Sequence, residues 1–412
     1  MWTRRALMAG AATVVAGSAH GRPAPLPVPD MDEAALWREV QDAFDLDRTF
    51  INFNNGGVCP SPRVVHAAFK RYLDIQNLGP TYTMWSWLEP GIEAVRRELA
   101  DEMGVDAETV AITRNASEAL QIVQLGLSLR KGDQVLVSDQ DYPRMRDTWD
   151  QRVRRDGIEV VVVAIPVPAT DVQILQRFAD AMTSKTRVLH VTHVTHVSGQ
   201  VFPVRELCQL ARARGVFSIV DAAHATFHLP FQIGDLGCDA LGTSLHKWLL
   251  APIGTGMLYI RRERIPEIWP LQATGASRDA DIRKFEEIGT HPAANHNAIA
   301  EALVFHRRIG AERKHKRLHG LRMRWTDAVR TLPNVKLHTL DDPARSGGIG
   351  VVEIVGKTPA ELVAALWDGW RIFSVGIDHH THRGVRLTPN VYTTDDEADT
   401  LAEALVSIAK GV

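Results

Sequence analysis

A lysine amine attacks a carbonyl to form an imine, but only while it is neutral. One lysine in this chain sits where that chemistry can be arranged. Lys247 lies in Thr243-Ser-Leu-His-Lys-Trp-Leu-Leu-Ala-Pro-Ile-Gly-Thr-Gly-Met-Leu-Tyr-Ile260, between two short apolar runs that read as strands. Ser244 and His246 stand just before it, and a Pro/Gly turn over 252–256 follows. A free lysine has a pKa of about 10.4, so a working pocket must disfavour the ammonium. Taken alone, a loop lysine is explained as well by a solvated surface. The stretch upstream changes that balance. Val216-Phe-Ser-Ile-Val-Asp-Ala-Ala-His224 reads as an apolar strand ending in Asp221. An acid at the carboxyl end of a buried strand lies where open α/β sheets bind ligands. Capping a helix or holding a metal are its other uses.

Together the two residues have the layout that pyridoxal phosphate needs. The lysine holds the aldehyde, and the acid keeps the ring nitrogen protonated so that the ring accepts electrons. With these paired motifs the sequence resembles the class V aminotransferase family of fold-type I pyridoxal-phosphate enzymes. That family includes isopenicillin N epimerase-like proteins and cysteine desulfurases. The resemblance covers most of the chain after about Asn52.

The resemblance implies an α/β fold: a large cofactor-binding domain over 64–290 with a mostly parallel seven-stranded sheet, and a smaller α+β domain from 30–63 with 291–412. It implies that Lys247 and Asp221 are catalytic. It also implies that Ser117, Ser244, His246 and the backbone N–H of Ala116 hold the phosphate. Tyr142 then stacks on the pyridine face, and His224 bonds the phenolic oxygen. Thr290, in Phe285-Glu-Glu-Ile-Gly-Thr-His-Pro292, reaches the phosphate of a neighbouring subunit, which makes the protein a homodimer with shared active sites. Arg386, in Gly384-Val-Arg-Leu-Thr-Pro-Asn390, binds the substrate carboxylate, a bidentate task suited to guanidinium. Arg371 is a second candidate, and His196 borders the pocket. Plainer readings stand beside these. Asn115 and Glu118 have capping-box spacing, and a helix-start field is worth only about 0.3–2 kcal/mol, too little to hold a phosphate alone. Tyr142 also suits a turn before a proline, His224 a buried histidine, and Arg386 a surface ion pair.

The elements that must position these residues follow from periodicity. Strands alternating with helices from Val110 to Ile260 predict a mostly parallel sheet covered on both faces. Ile158 to Val167 reads as one continuous strand. Thr186 to Gly199 carries His190, His193 and His196. His193 and His196 are three residues apart and do not share a face of a regular strand, which argues against a metal. His379-His380-Thr-His382 has no carboxylate or cysteine at ligand spacing, so no metal site is expected. The basic run Lys314 to Arg324 reads as a solvated helix face.

The 412 residues carry a net charge of −2, which does not favour a nucleic-acid partner. Three cysteines, Cys59, Cys208 and Cys238, give neither a disulfide framework nor zinc spacing. Residues 1–19 read as an export signal. Arg4-Arg5 resembles a twin-arginine motif, small residues end at Ala19, and the apolar run is too short for a stable membrane anchor. A proline-rich linker runs to Pro29. The expected protein is a periplasmic or otherwise exported pyridoxal-phosphate enzyme acting on an α-amino acid or a peptide, aminotransferase-like or isopenicillin N epimerase-like. The alternatives are a carbon–sulfur lyase on cysteine-like substrates, a tailoring enzyme for a peptide siderophore, and a non-enzymatic binding protein that keeps the fold. A desulfurase uses a cysteine on a loop in the last part of the chain, and none follows Cys238.

Overall fold

The structure, a computed structural model, describes residues 32–411. The expected export signal and linker lie outside the described residues. Helix Glu33–Asp42 comes first, burying Leu36, Trp37 and Val40 along one stripe. The short strand β1 (Ile51–Asn52) follows. The main sheet then takes β2 (Val110–Thr113), β3 (Gln134–Ser138), β4 (Glu159–Val163), β5 (Thr186–Thr192), β6 (Phe217–Asp221), β7 (Ala240–Ser244) and β8 (Gly256–Ile260). Their order across the sheet is β2-β8-β7-β6-β5-β3-β4. Every neighbouring pair is parallel except those made by β8, which runs antiparallel to β2 and β7. The strands are apolar on both faces because helices cover both. Along β3, Leu136 joins one core cluster while Val135 and Val137 join the other, as the two-residue period of a strand requires.

The second layer is smaller. It contains β9 (Val335–Leu337), β10 (Gly350–Ile354), the two-residue β11 (Ile372–Phe373), β12 (Val375–His379) and β13 (His382–Leu387). Four of these form an antiparallel sheet in the order β12-β13-β10-β9. Helices Ala311–Val329, Pro359–Trp370 and Asp395–Lys410 cover it. The N-terminal segment returns here: β1 pairs in parallel with β11, and Asn54 bridges to Thr388.

Three expectations are corrected. The strand expected over 158–167 is shorter, Glu159–Val163, and lies at the sheet edge with Val162 partly exposed. Strand β5 ends at Thr192, so His193 and His196 lie beyond it and strand alternation does not govern them. The basic run is not simply a solvated face. Lys314, Leu318 and Arg322 recur every four residues on one helix, so they share a face, and that face is buried. Lys314 Nζ donates to the Trp248 carbonyl, and Arg322 donates to the Gly347 and Leu340 carbonyls and to Ser346 Oγ. Backbone carbonyls of the enclosing loops and the Ser346 hydroxyl receive these N–H groups, and Arg322 Nη1 is left without a hydrogen-bond partner.

Strand β8 passes close to the start of helix Ala116–Gly126. A Cβ added at Gly256 would sit 2.6 Å from Asn115 Cα and 2.7 Å from its N and C atoms. These are backbone atoms and have no rotamer to escape into. We expect Gly256→Ala to destabilise the protein by about 1–3 kcal/mol. It should weaken cofactor retention as well, because it pushes on the same helix start. Chemical denaturation and cofactor content after gel filtration check this, and unchanged values for both would refute it.

Candidate active site

Chain ends converge at the carboxyl edge of the main sheet. Asp221 is the last residue of β6, Ser244 the last of β7, and Asn115 caps the helix that follows β2. A cavity of about 570 Å³ opens there. Its walls include Ala116, Ser117, Tyr142, His196, Asp221, His224, Ser244, His246 and Lys247. Nine of the sequence-derived candidates therefore meet in one place, at the topological position where open α/β sheets bind ligands.

The amine at the centre is tuned. Burial pushes Lys247 down from 10.5 to about 8, Asp221 partly offsets this, and the Arg386 charge adds to it. Lys247 Nζ lies 3.3 Å from His224 Nε2. Burial, and next the lysine charge, hold His224 far below its ordinary value, so the ring is neutral. Its Nδ1 has no hydrogen-bond partner, although the atom is buried. Asp221 Oδ1 accepts the Ala223 N–H at 2.9 Å. Burial raises the Asp221 carboxyl above the ordinary range, and the Ala223 bond and Lys247 oppose that. A protonated ring nitrogen placed beside it would restore the carboxylate.

The anion end is built around the helix start. Asn115 Oδ1 accepts from Glu118 N at 2.9 Å, so the capping reading holds. The Ala116 N–H, expected to face a phosphate, donates instead to Ser244 Oγ at 2.9 Å. That is a correction, and its reason is local: the hydroxyl is the nearer acceptor. It leaves the Ser244 O–H free to donate onward. His246 Nδ1 lies 3.1 Å from the Thr255 carbonyl, which only accepts, so Nδ1 carries the proton. Nε2 then donates only when the ring is protonated. Burial lowers His246, and a phosphate dianion beside it would counter that shift. The Ser117 N–H, in the first helical turn, has no intrahelical acceptor. These groups fit a phosphate, and with the unpartnered His224 Nδ1 and the buried Asp221 they fit pyridoxal 5'-phosphate as a whole.

Tyr142 caps helix Pro143–Asp156 and meets the His196 ring edge-on at 5.5 Å. Burial pushes His196 down to about 3, so it too is neutral. The three histidines near the end of β5 part company: His190 Nδ1 takes the Trp149 indole N–H at 3.1 Å, His193 packs on Phe231, and His196 joins the cavity. Arg386 sits just behind the Gly56–Gly57 turn rather than in the cavity wall. Its Nη2 donates to Asn54 Oδ1 at 3.0 Å, its Nη1 to the His196 carbonyl at 3.2 Å, and its buried Nε has no partner. Arg371 and Thr290 do not line the cavity either. Arg371 is exposed at the C-cap of helix Pro359–Trp370, lying over the Trp367 ring, because its left-handed backbone turns it away from the main sheet. Thr290 is exposed and lines no part of its own chain's cavity.

Sequence reasoning missed Asn54, Asp141 and Arg144. Asp141 is buried and accepts from Ser138 N, Thr192 N and Thr192 Oγ1, which fixes the loop leading into Tyr142. Desolvation raises it to about 6. Arg144 lines the mouth of the cavity. The run Asp139-Gln-Asp-Tyr-Pro143 was the available signal, but nothing in it separates a network carboxylate from a turn residue.

A buried lysine, a strand-end acid and an anion-binding helix start on a mostly parallel sheet define a fold-type I pyridoxal-phosphate site. The chain belongs to the aminotransferase class-V family, whose sequence profile matches residues 51–374. It is 31% identical over 396 residues to isopenicillin N epimerase of Streptomyces clavuligerus, covering 90% of this chain and 98% of that one. Its fold matches the cysteine desulfurase of Thermococcus onnurineus NA1 with a TM-score of 0.80 at 23% identity, over 91% of this chain and 98% of the other. It also matches the cystine C–S lyase C-DES in complex with cysteine persulfide, with a TM-score of 0.79 at 24% identity, over 87% and 97%.

The neutral fraction of Lys247 grows as pH rises through about 8 and saturates above it. Capture of the cofactor aldehyde by the cofactor-free protein should therefore speed up between pH 7 and 8.5, then level off. Stopped-flow absorbance measures this. A rate still climbing at pH 10 would show that the pocket leaves the lysine unshifted.

Proposed function

We propose that this protein acts on an α-amino acid or an amino-acid-containing peptide, with an aminotransferase-like or isopenicillin N epimerase-like outcome. Pyridoxal 5'-phosphate is its cofactor. The observation that carries the reading is a buried lysine held near pH 8 in the same cavity as a buried acid. When bound, the cofactor supplies an electron sink for charge developing at the substrate α-carbon. The rest is the work of the chain. Lys247, whose lowered pKa of about 8 leaves a usable neutral fraction near physiological pH, holds the cofactor and moves a proton to and from the α-carbon. Asp221 keeps one oxygen for the ring nitrogen while Ala223 takes the other. Arg386 stays cationic even though burial lowers it to about 10, and its unpartnered Nε would take a carboxylate that reached it past the Gly56–Gly57 turn. His196 and Tyr142, in edge-on contact, both line the pocket.

One structural feature separates the related activities. A desulfurase of the expected kind attacks with its own thiol. All three cysteines here are buried, and burial drives Cys59 and Cys208 to about 12 and Cys238 well above its ordinary value. Thiols so disfavoured as thiolates make poor nucleophiles. A C–S lyase needs no such thiol and is the second reading.

A homodimer is part of the proposal. Leu78, Tyr82, Trp85 and Trp87 project exposed apolar surface from one helical stretch, which suits cover by a second copy. Thr290 would then serve the neighbouring site. Export by the twin-arginine route is also proposed, and a mature N-terminus at His20 in protein recovered from the periplasm would support it.

Lys247→Ala should abolish the borohydride-reducible covalent link between protein and cofactor while leaving the circular dichroism intact. A link still fixed by borohydride in the variant would sink the assignment. Arg386→Lys should raise KM by about tenfold or more with a smaller effect on kcat, since an ammonium cannot bond Asn54 and the His196 carbonyl while also presenting the Nε donor. To choose among outcomes, amino acids and peptides are incubated in deuterium oxide. Exchange at the α-carbon without amino-group loss marks the epimerase reading, and pyruvate with released sulfur marks the lyase.

A further inference from the structure

We propose that Asp139, His379 and His380 form a site for a divalent transition-metal ion of the zinc type, which clips the tip of the β12–β13 hairpin to the loop that carries Tyr142. The sequence hides this group, because the two histidines are adjacent while the carboxylate stands 240 residues earlier. The fold brings one ligand-capable atom from each to within 4.8 Å of the others.

Two observations, both centred on Asp139, point to a cation. The first is geometric. His380 Nε2 lies 3.0 Å from Asp139 Oδ2. Ligands about 2.0–2.1 Å from a tetrahedral zinc stand about 3.3 Å from one another, so this pair is already near ligand spacing. His379 is oriented whichever nitrogen binds: Nε2 is 3.1 Å from the Asp139 carbonyl, and Nδ1 is 2.7 Å from Thr381 Oγ1. A metal taken at one nitrogen leaves the other with a partner, as ligating imidazoles require. The second observation is a deficit. Asp139 is only 7% exposed, and its Oδ2 is buried with no aligned hydrogen-bond donor, while Oδ1 accepts from Ile165 N at 3.1 Å. A buried carboxylate oxygen without a donor calls for a cation. Two imidazoles and one carboxylate favour zinc, cobalt or nickel over calcium or magnesium. His380 is 62% exposed, so the ion has an entry path and an open coordination position.

The site would act on the active site through position rather than chemistry. Asp139 opens the segment that ends in Tyr142, and β13, the second strand of the hairpin, carries Arg386. A bound ion would fix the one against the other.

The test uses untagged holoenzyme stripped with a chelator and titrated with Zn2+ by calorimetry, with Co2+ absorption as a second probe. We expect one ion per chain, tetrahedral Co2+ bands, and a higher Tm when Zn2+ is present. Loss of an outer-shell partner costs about 10–100-fold in metal affinity, so His380→Ala and Asp139→Asn should each weaken binding by at least that much. His66→Ala, an exposed histidine on helix Arg63–Leu78, should bind as wild type. His380 is on the surface, so its variant should fold, and circular dichroism verifies it. Absence of saturable binding would overturn the proposal, leaving the His380–Asp139 contact as an ion pair only. Binding unchanged in both variants would overturn it as well.

Discussion

A primary amine is kept out of water beside a carboxylate at the edge of a parallel sheet, and most of the molecule serves that arrangement. Burying a charge without compensation is expensive, so the group shifts its pKa instead. Lys247 responds by falling to about 8, and Asp221 by rising. Each opposes the other's shift. The neighbours add little charge, because burial has already made the rings of His196 and His224 neutral. The remaining positive charge comes from Arg386 and from Arg114 and Arg144 in the cavity wall, a setting that favours loss of the lysine proton.

The turn that presents Lys247 is held from behind. Trp248 lies under it, stacked on His228 at 3.7 Å with the rings 9° from parallel. The Trp248 carbonyl takes the buried Lys314 amine, which burial lowers to about 7. His228 is locked in turn, with Nδ1 against the His224 carbonyl at 2.7 Å and Nε2 accepting from Gly348 N at 2.7 Å. Helix Ala311–Val329 therefore braces the Lys247 turn through the Trp248 carbonyl, and the loop before β10 braces it through the Trp248 indole ring. Leu250 adopts a left-handed backbone, φ 67°, within the same turn. A β-carbon makes that conformation costly, so it persists only where the surroundings impose it.

The legible part of the site was the part written in short range. Lys247, Ser244 and His246 occupy one turn, and Asp221 and His224 another, so local pattern found them. The alternation of strands and helices likewise gave the large sheet. What stayed hidden depends on partners far along the chain. Asp141 matters because Thr192 lies on the neighbouring part of the sheet, and Asn54 because Arg386 arrives from β13. Lys314 and Arg322 looked like solvent-facing charges until carbonyls from other loops reached them. Arg371 failed for the opposite reason. An arginine near a strand looks available to a ligand, and only the φ of 52° at the helix end shows that it turns away.

Chains of the same fold are named for different activities, so the fold alone does not choose the reaction. Lys247, Asp221, Ser244 and the helix cap all belong to the main sheet, whereas Arg386 belongs to the small one. The substrate's reactive carbon would be fixed by the first group and its carboxylate by the second. Which bond at that carbon stands perpendicular to the ring then depends on how the two sheets are set against each other. Contacts across the seam do that setting: the Asn54–Thr388 bridge, the Arg386 bond to the His196 carbonyl, and His382 Nε2 on the Val197 carbonyl at 2.6 Å. Small changes along that seam would redirect the chemistry without altering any residue that touches the cofactor.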